Sequence, residues 1–105
     1  MNIYEHLFET NTLYNIAVKI FGKIKASEED YFSFDLPNNE EVTVEKITTD
    51  SASGMELQFE LQDEDGSTIE TRIVDYGEPE KQICSVIENL LLECSFFNER
   101  LMKIS

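Results

Sequence analysis

The chain of 105 residues carries 22 aspartates and glutamates against 8 lysines and arginines, a formal charge of −14. That balance repels nucleic acid and anionic membranes as direct partners and favours basic proteins, including the nucleic-acid-binding grooves of enzymes. A hydrophobic content of 41% separates the chain from disordered acidic tails, and its length fits one domain, residues 1–105, with room for a real core.

The first expected element is a helix from Asn2 to about Phe21. Asn2 is placed to cap it, with Glu5 three residues on as in a capping box. Glu9-Thr10-Asn11-Thr12 compete for their own backbone and predict a kink or a division into two short helices. Leu13, Ile16, Ala17, Ile20 and Phe21 then recur at helical spacing. A second pattern overlaps it: Ile16, Val18, Ile20, Ile24 and Ala26 also alternate with period two, so Val18 to Ala26 reads as a strand as well. The helix is preferred to about Gly22, and Lys23 to Ala26 stays open.

Tyr31 to Leu36 reads as a strand with Phe32, Phe34 and Leu36 on one face. Pro37-Asn38-Asn39-Glu40 is turn chemistry, since Pro fixes φ and Asn tolerates positive φ. Glu41 to Thr49 is the second strand. Val42 and Val44 share a face, while Ile47 falls out of phase and suggests a bulge or a twist near Lys46. After the loop Asp50 to Gly54, Met55 to Gln62 forms the third strand. Its Leu57, Phe59 and Leu61 alternate with Glu56, Gln58, Glu60 and Gln62, the pattern of a sheet with one buried and one wet face. Asp63-Glu64-Asp65-Gly66 closes a hairpin, with Asp65-Gly66 as the favoured turn pair. Ser67 to Asp75 is the fourth strand, in which Ile69, Thr71 and Ile73 alternate with Glu70, Arg72 and Val74. Pro79 then starts a long helix with a stripe of Ile83, Val86, Ile87, Leu90, Cys94, Phe97 and Leu101, widened by Leu91, Leu92 and Phe96. Lys103 suits its C-terminal end. The fold class is α+β: an N-terminal helix, a four-stranded antiparallel meander, and a long C-terminal helix packed on one sheet face.

Little in the chain carries reaction chemistry. His6 is the only histidine, which excludes a histidine relay or a multi-histidine metal site within one chain and leaves His6 as a helix-surface residue. Cys84 and Cys94, ten residues apart on one expected helix, stand about 15 Å apart, too far for a disulfide. They read as reduced core cysteines of a cytoplasmic protein. Asp63 to Gly66 fails the calcium-loop register, because aligning Gly66 to the invariant glycine puts Leu61 and Arg72 at the terminal ligand positions. No glycine-rich phosphate loop, secretory leader or membrane span is visible, and no catalytic residue, metal or cofactor is expected.

The acids are uneven. Met1 to Lys25 holds Glu5 and Glu9 against three lysines, whereas the sheet and its turns hold most of the remaining acids against Lys46 and Arg72. Outward side chains two apart on a strand lie about 6.5–7 Å apart, comparable to the spacing of charge along a nucleic-acid strand. Glu56, Glu60 and Glu70, with the turn acids Asp63, Glu64 and Asp65, are therefore the candidate partner-binding residues, presenting carboxylates where a basic groove holds phosphates. The plain alternative is a solvated acidic face that serves solubility alone.

In its small size, its acidic strands Glu41–Thr49 and Glu56–Glu70 and its lack of a catalytic motif, the chain resembles the small acidic inhibitors made by phages and mobile elements. These include DNA-mimic and anti-CRISPR proteins. The resemblance implies a non-enzymatic protein that binds and inhibits a nucleic-acid-binding enzyme, such as a Cas or other defence nuclease. Two other classes fit the same features. One is an immunity or antitoxin protein neutralising a basic toxin; the other is an assembly protein forming a homodimer through the stripe of the last helix.

Overall fold

The computed structural model describes residues 12–95. Within them a helix α1 (Thr12–Ala26) leads into strands β1 (Tyr31–Asp35), β2 (Glu41–Thr48), β3 (Met55–Gln62) and β4 (Thr68–Asp75), followed by a helix α2 (Glu80–Leu92). The strands form one antiparallel sheet in the order β1-β2-β3-β4. The expected α+β class and the meander are both present. The cap at Asn2, the apolar residues Ile3, Leu7 and Phe8, His6 and the kink at Glu9 to Asn11 lie outside the described residues. So do Phe96, Phe97, Leu101 and Lys103.

α1 buries Leu13, Ala17, Ile20, Phe21 and Ile24, positions spaced three, four and seven apart as one helical face requires. The helix continues to Ala26, which closes the strand alternative for Val18 to Ala26. Ile24 decides between them, because it extends the buried stripe by one more turn and is fully covered. Lys23 and Lys25 occupy the last turn, where cations offset the negative end of the helix dipole. Lys25 also reaches across to Glu80 at the start of α2, with 3.1 Å between Nζ and Oε2.

The sheet buries alternate residues against the helices. Val42, Val44, Leu57, Phe59, Leu61 and Val74 share one core with α1 and with Ile83, Cys84, Ile87, Leu90 and Leu91 of α2. α2 approaches the sheet along β4 and packs against α1. Pro79 precedes α2 as its cap residue, and its carbonyl accepts from the amides of Gln82 and Ile83. The helix ends at Leu92, earlier than the apolar stripe suggests. Glu93 and Cys94 close it by donating back to Leu90 and Leu91, a tightened last turn. Cys94 is therefore beyond the helix rather than on it, although it and Cys84 are both buried as expected.

The turns follow local chemistry. Asn38 and Asn39 both have positive φ, at 66° and 61°, which asparagine accepts more readily than most residues. In the β3–β4 hairpin, the Gly66 amide donates to the Asp63 carbonyl, the Asp63 amide donates to the Ser67 carbonyl, and Gly66 has φ 83°. Glu64 and Asp65 are thus the turn centre and Gly66 the left-handed residue after it, a three-residue loop rather than a two-residue Asp-Gly turn.

Of the bulge or twist expected near Lys46, the bulge is absent. β2 pairs without interruption from Glu41↔Gln62 to Thr48↔Met55. The phase is kept because Lys46, not Ile47, takes the inward position. Its stem runs along the core edge, its Nζ lies 5.4 Å from the Phe32 ring centroid and donates to the Ser27 carbonyl at 2.9 Å. A long amphipathic side chain can fill an apolar position in this way while its charge reaches a polar partner. The one register shift lies between β3 and β4, where Leu61 opposes Glu70 but Gln62 opposes Thr68, leaving Ile69 as the extra residue.

Candidate functional site

The antiparallel register fixes what stands on the sheet face away from the helices, because directly opposed residues share a face. One row across that face runs Asp35, Glu41, Gln62, Thr68, and the next runs Ser33, Thr43, Glu60, Thr71. The third runs Tyr31, Glu45, Gln58, Ile73, and the last Ile47, Glu56, Asp75. No lysine or arginine among the described residues occupies any of these positions. Lys46 and Arg72 oppose Leu57 and Phe59 on the helix side, and Lys19, Lys23, Lys25 and Lys81 belong to the helices. The described bases therefore all lie off this face, whereas acids such as Glu70 and Glu80 are found on the helix side as well.

The carboxylates on this open face form a continuous ridge. Asp35 opposes Glu41, and Glu56 opposes Asp75. Between those ends the ridge zigzags across β2 and β3 from Glu41 to Glu60, Glu45 and Glu56, each step a diagonal of the register. Diagonal neighbours have Cβ atoms about 7–8 Å apart, and directly opposed ones about 5 Å. Hydrogen bonds orient several members. Ser33 Oγ donates to Glu41 Oε2 at 2.8 Å, and Gln58 Nε2 donates to Glu60 Oε1 at 3.3 Å. Asp75 Oδ1 accepts from Ser53 Oγ and from the Gly77 amide. These bonds, with Ser53 the larger contribution, hold the Asp75 carboxyl below the usual aspartate range.

The expected site residues divide among three places. Glu56 and Glu60 stand on the open face. Asp63, Glu64 and Asp65 form the hairpin tip, where Asp63 Oδ1 accepts from the amides of Asp65 and Ser67, both at 2.9 Å, and Glu64 and Asp65 are exposed. Glu70 is on the opposite face. It opposes Leu61 and accepts from Arg72 at 2.6 Å, so it cannot join Glu56 and Glu60 in one patch. The same face also carries Asp35, Glu41, Glu45 and Asp75, which are not among the expected site residues. The alternation of Glu41, Thr43 and Glu45 with Val42 and Val44 is visible in the sequence and would have supplied two of them.

Glu40 also departs from expectation. It is 6% exposed, and its Oε1 accepts from the Ser95 amide at 3.0 Å, from Ser95 Oγ and from Cys94 Sγ. This carboxylate ties the β1–β2 turn to the chain after α2. A groove of about 560 Å³ runs beside it, lined by Asn38, Asn39, Asp63, Glu64, Ile69 and Ser95. On the helix side, burial pushes the Cys84 thiol up, with the Glu80 carboxylate adding to the effect. The Tyr14 hydroxyl is also raised, by burial first and then by Cys84, Glu80 and Glu88.

No group of three or more His, Cys, Asp or Glu among the described residues is arranged to hold a metal ion. None of the described helices is long and apolar enough to cross a membrane. Comparison with protein-family models, curated proteins and solved structures found no match.

Proposed function

We propose that the protein binds a basic, nucleic-acid-binding protein through the open sheet face and inhibits it by placing carboxylates where the partner holds phosphates. The ridge from Asp35 to Asp75, with no base on the same face among the described residues, is the observation that carries this reading. Like charges directly opposed on a sheet each cost roughly 0.2–1 kcal/mol, so a solvated face serving solubility alone has no need to place Glu56 opposite Asp75. Long-range attraction from such a face would speed association and make it fall steeply with salt. The hairpin-tip acids Glu64 and Asp65 would extend the contact beyond the sheet; Glu70 would take no part.

The test is retention of proteins from an extract of the cell that carries the gene, on immobilised protein eluted over a salt gradient, with and without competing duplex DNA. Retained partners should be displaced by DNA, lost from a Glu45→Lys, Glu56→Lys, Glu60→Lys triple variant, and kept by Glu70→Lys. Retention that survives the triple reversal, or is indifferent to DNA, rules the reading out.

A further inference from the structure

The open face has a recess at its centre. A notch of about 40 Å³ is bounded by Tyr31, Glu45, Gln58 and Glu60, with Thr43 as its floor. Thr43 is 4% exposed, and its hydroxyl has no hydrogen-bond partner among the described residues. Buried hydroxyls without a partner are rare because they give up hydration for nothing. The register places the Thr43 side chain on this face, between Ser33 and Glu60, and that side chain lines the notch. Glu45 and Glu60 stand at opposite corners of the rectangle that Thr43 and Gln58 complete. Gln58 Nε2 holds one oxygen of Glu60. Tyr31, directly opposite Glu45 and 58% exposed, adds an aromatic wall.

We infer that this notch is a socket for one lysine ammonium of the partner; the inference rests on the proposed docking through the open face. The chemistry matches in three respects. The space suits a compact head group the size of a water molecule or slightly larger. An ammonium has three donors, and the notch offers three kinds of acceptor: the Glu45 carboxylate, the Glu60 carboxylate and the Thr43 hydroxyl. The Tyr31 ring supplies a face on which a cation is attracted. A guanidinium is planar and wider, with five donors in a fixed fork, and is a poorer match than an ammonium for a notch of about 40 Å³. Arginine therefore binds the ridge from outside without using the floor.

The experiment titrates the full chain with hexalysine and with hexaarginine at low salt, reading affinity and the Thr43 methyl resonance. The variants are Thr43→Val, which keeps the shape and β-branching, and Tyr31→Leu, which lies at an exposed site outside the core. Amide spectra check that both fold. For the wild type, hexalysine should shift the Thr43 methyl saturably, and hexaarginine should shift it little. Each variant should weaken hexalysine about fivefold, in line with loss of a charge-assisted hydrogen bond or a cation–π contact near the surface. Hexaarginine should change less than twofold. The socket is refuted if both variants bind hexalysine like the wild type, or lose affinity for the two peptides alike, while both peptides still bind the face. If neither peptide binds the wild type, the docking reading fails together with the socket.

Discussion

Glu56→Gln should make the protein more stable, and only at low salt. Glu56 directly opposes Asp75 and lies diagonal to Glu45. Two carboxylates about 6 Å apart repel by roughly 0.7 kcal/mol in water, and a pair at 8 Å by roughly 0.5 kcal/mol. At 10 mM salt the Debye length of about 30 Å leaves most of that repulsion; at 1 M it falls to about 3 Å and little remains. The substitution should therefore raise stability by about 0.5–1 kcal/mol at 10 mM and by less than about 0.2 kcal/mol at 1 M. At the usual scaling this is a rise of about 2–6 °C in Tm at low salt. Glu70→Gln is the matched control and should act in the opposite direction. It removes a pair with Arg72 at 2.6 Å, on side chains 38% and 33% exposed, where loss of such a contact costs up to about 1 kcal/mol. Urea titration of both variants at the two salt concentrations measures each effect. A loss of stability in Glu56→Gln at 10 mM, or a gain that salt does not reduce, would contradict the ridge of mutually repelling carboxylates.

Two further predictions concern the turn after β4. A Cβ on Gly77 would stand 2.9 Å from Ser53 Cβ and 3.1 Å from Asp75 Oδ1. Gly77→Ala should cost about 1–3 kcal/mol by this overpacking, and Ser53→Gly should recover part of the loss in the double variant, measured by urea unfolding. The second is a pH effect. Because the folded Asp75 carboxyl is held below its ordinary value, its contribution to stability is full above the unfolded aspartate range and is lost as pH falls through the lowered folded value. Asp75→Asn should flatten the acid limb of a stability–pH profile relative to wild type. An unchanged acid limb would show that the Ser53 and Gly77 bonds do not favour the charged form.

Alternation made the strands legible. Met55–Gln62 has the bounds that its pattern of Leu57, Phe59 and Leu61 implies, and the asparagine and glycine turns fall where residues tolerant of positive φ stand. Two errors came from treating side chains as either apolar or polar. Lys46 filled an inward position with its stem, which made a regular strand look bulged. Glu70 and Arg72 share the inward face of an edge strand, where they pair with each other and stay half-buried. Position in the sheet decides that outcome, and alternation within one strand carries no information about it. The hairpin order then brought Glu41, Glu45 and Asp75 beside Glu56 and Glu60, a juxtaposition that depends on register between strands. Burial of Glu40 was equally hidden, since its partners Cys94 and Ser95 lie over fifty residues away.

Docking through the sheet requires an uncovered face whose potential is negative throughout. Paramagnetic relaxation of amide and methyl protons by a cationic soluble nitroxide, divided by that from an anionic one of the same size, reads that potential residue by residue. The ratio is expected to be highest along Thr43, Glu45, Glu56, Glu60 and Thr71, to stay high at the hairpin tip, and to fall below one around Lys19, Lys23 and Lys25 of α1. A ratio that is uniform around the molecule, or no higher on the open face than on the helices, would contradict it.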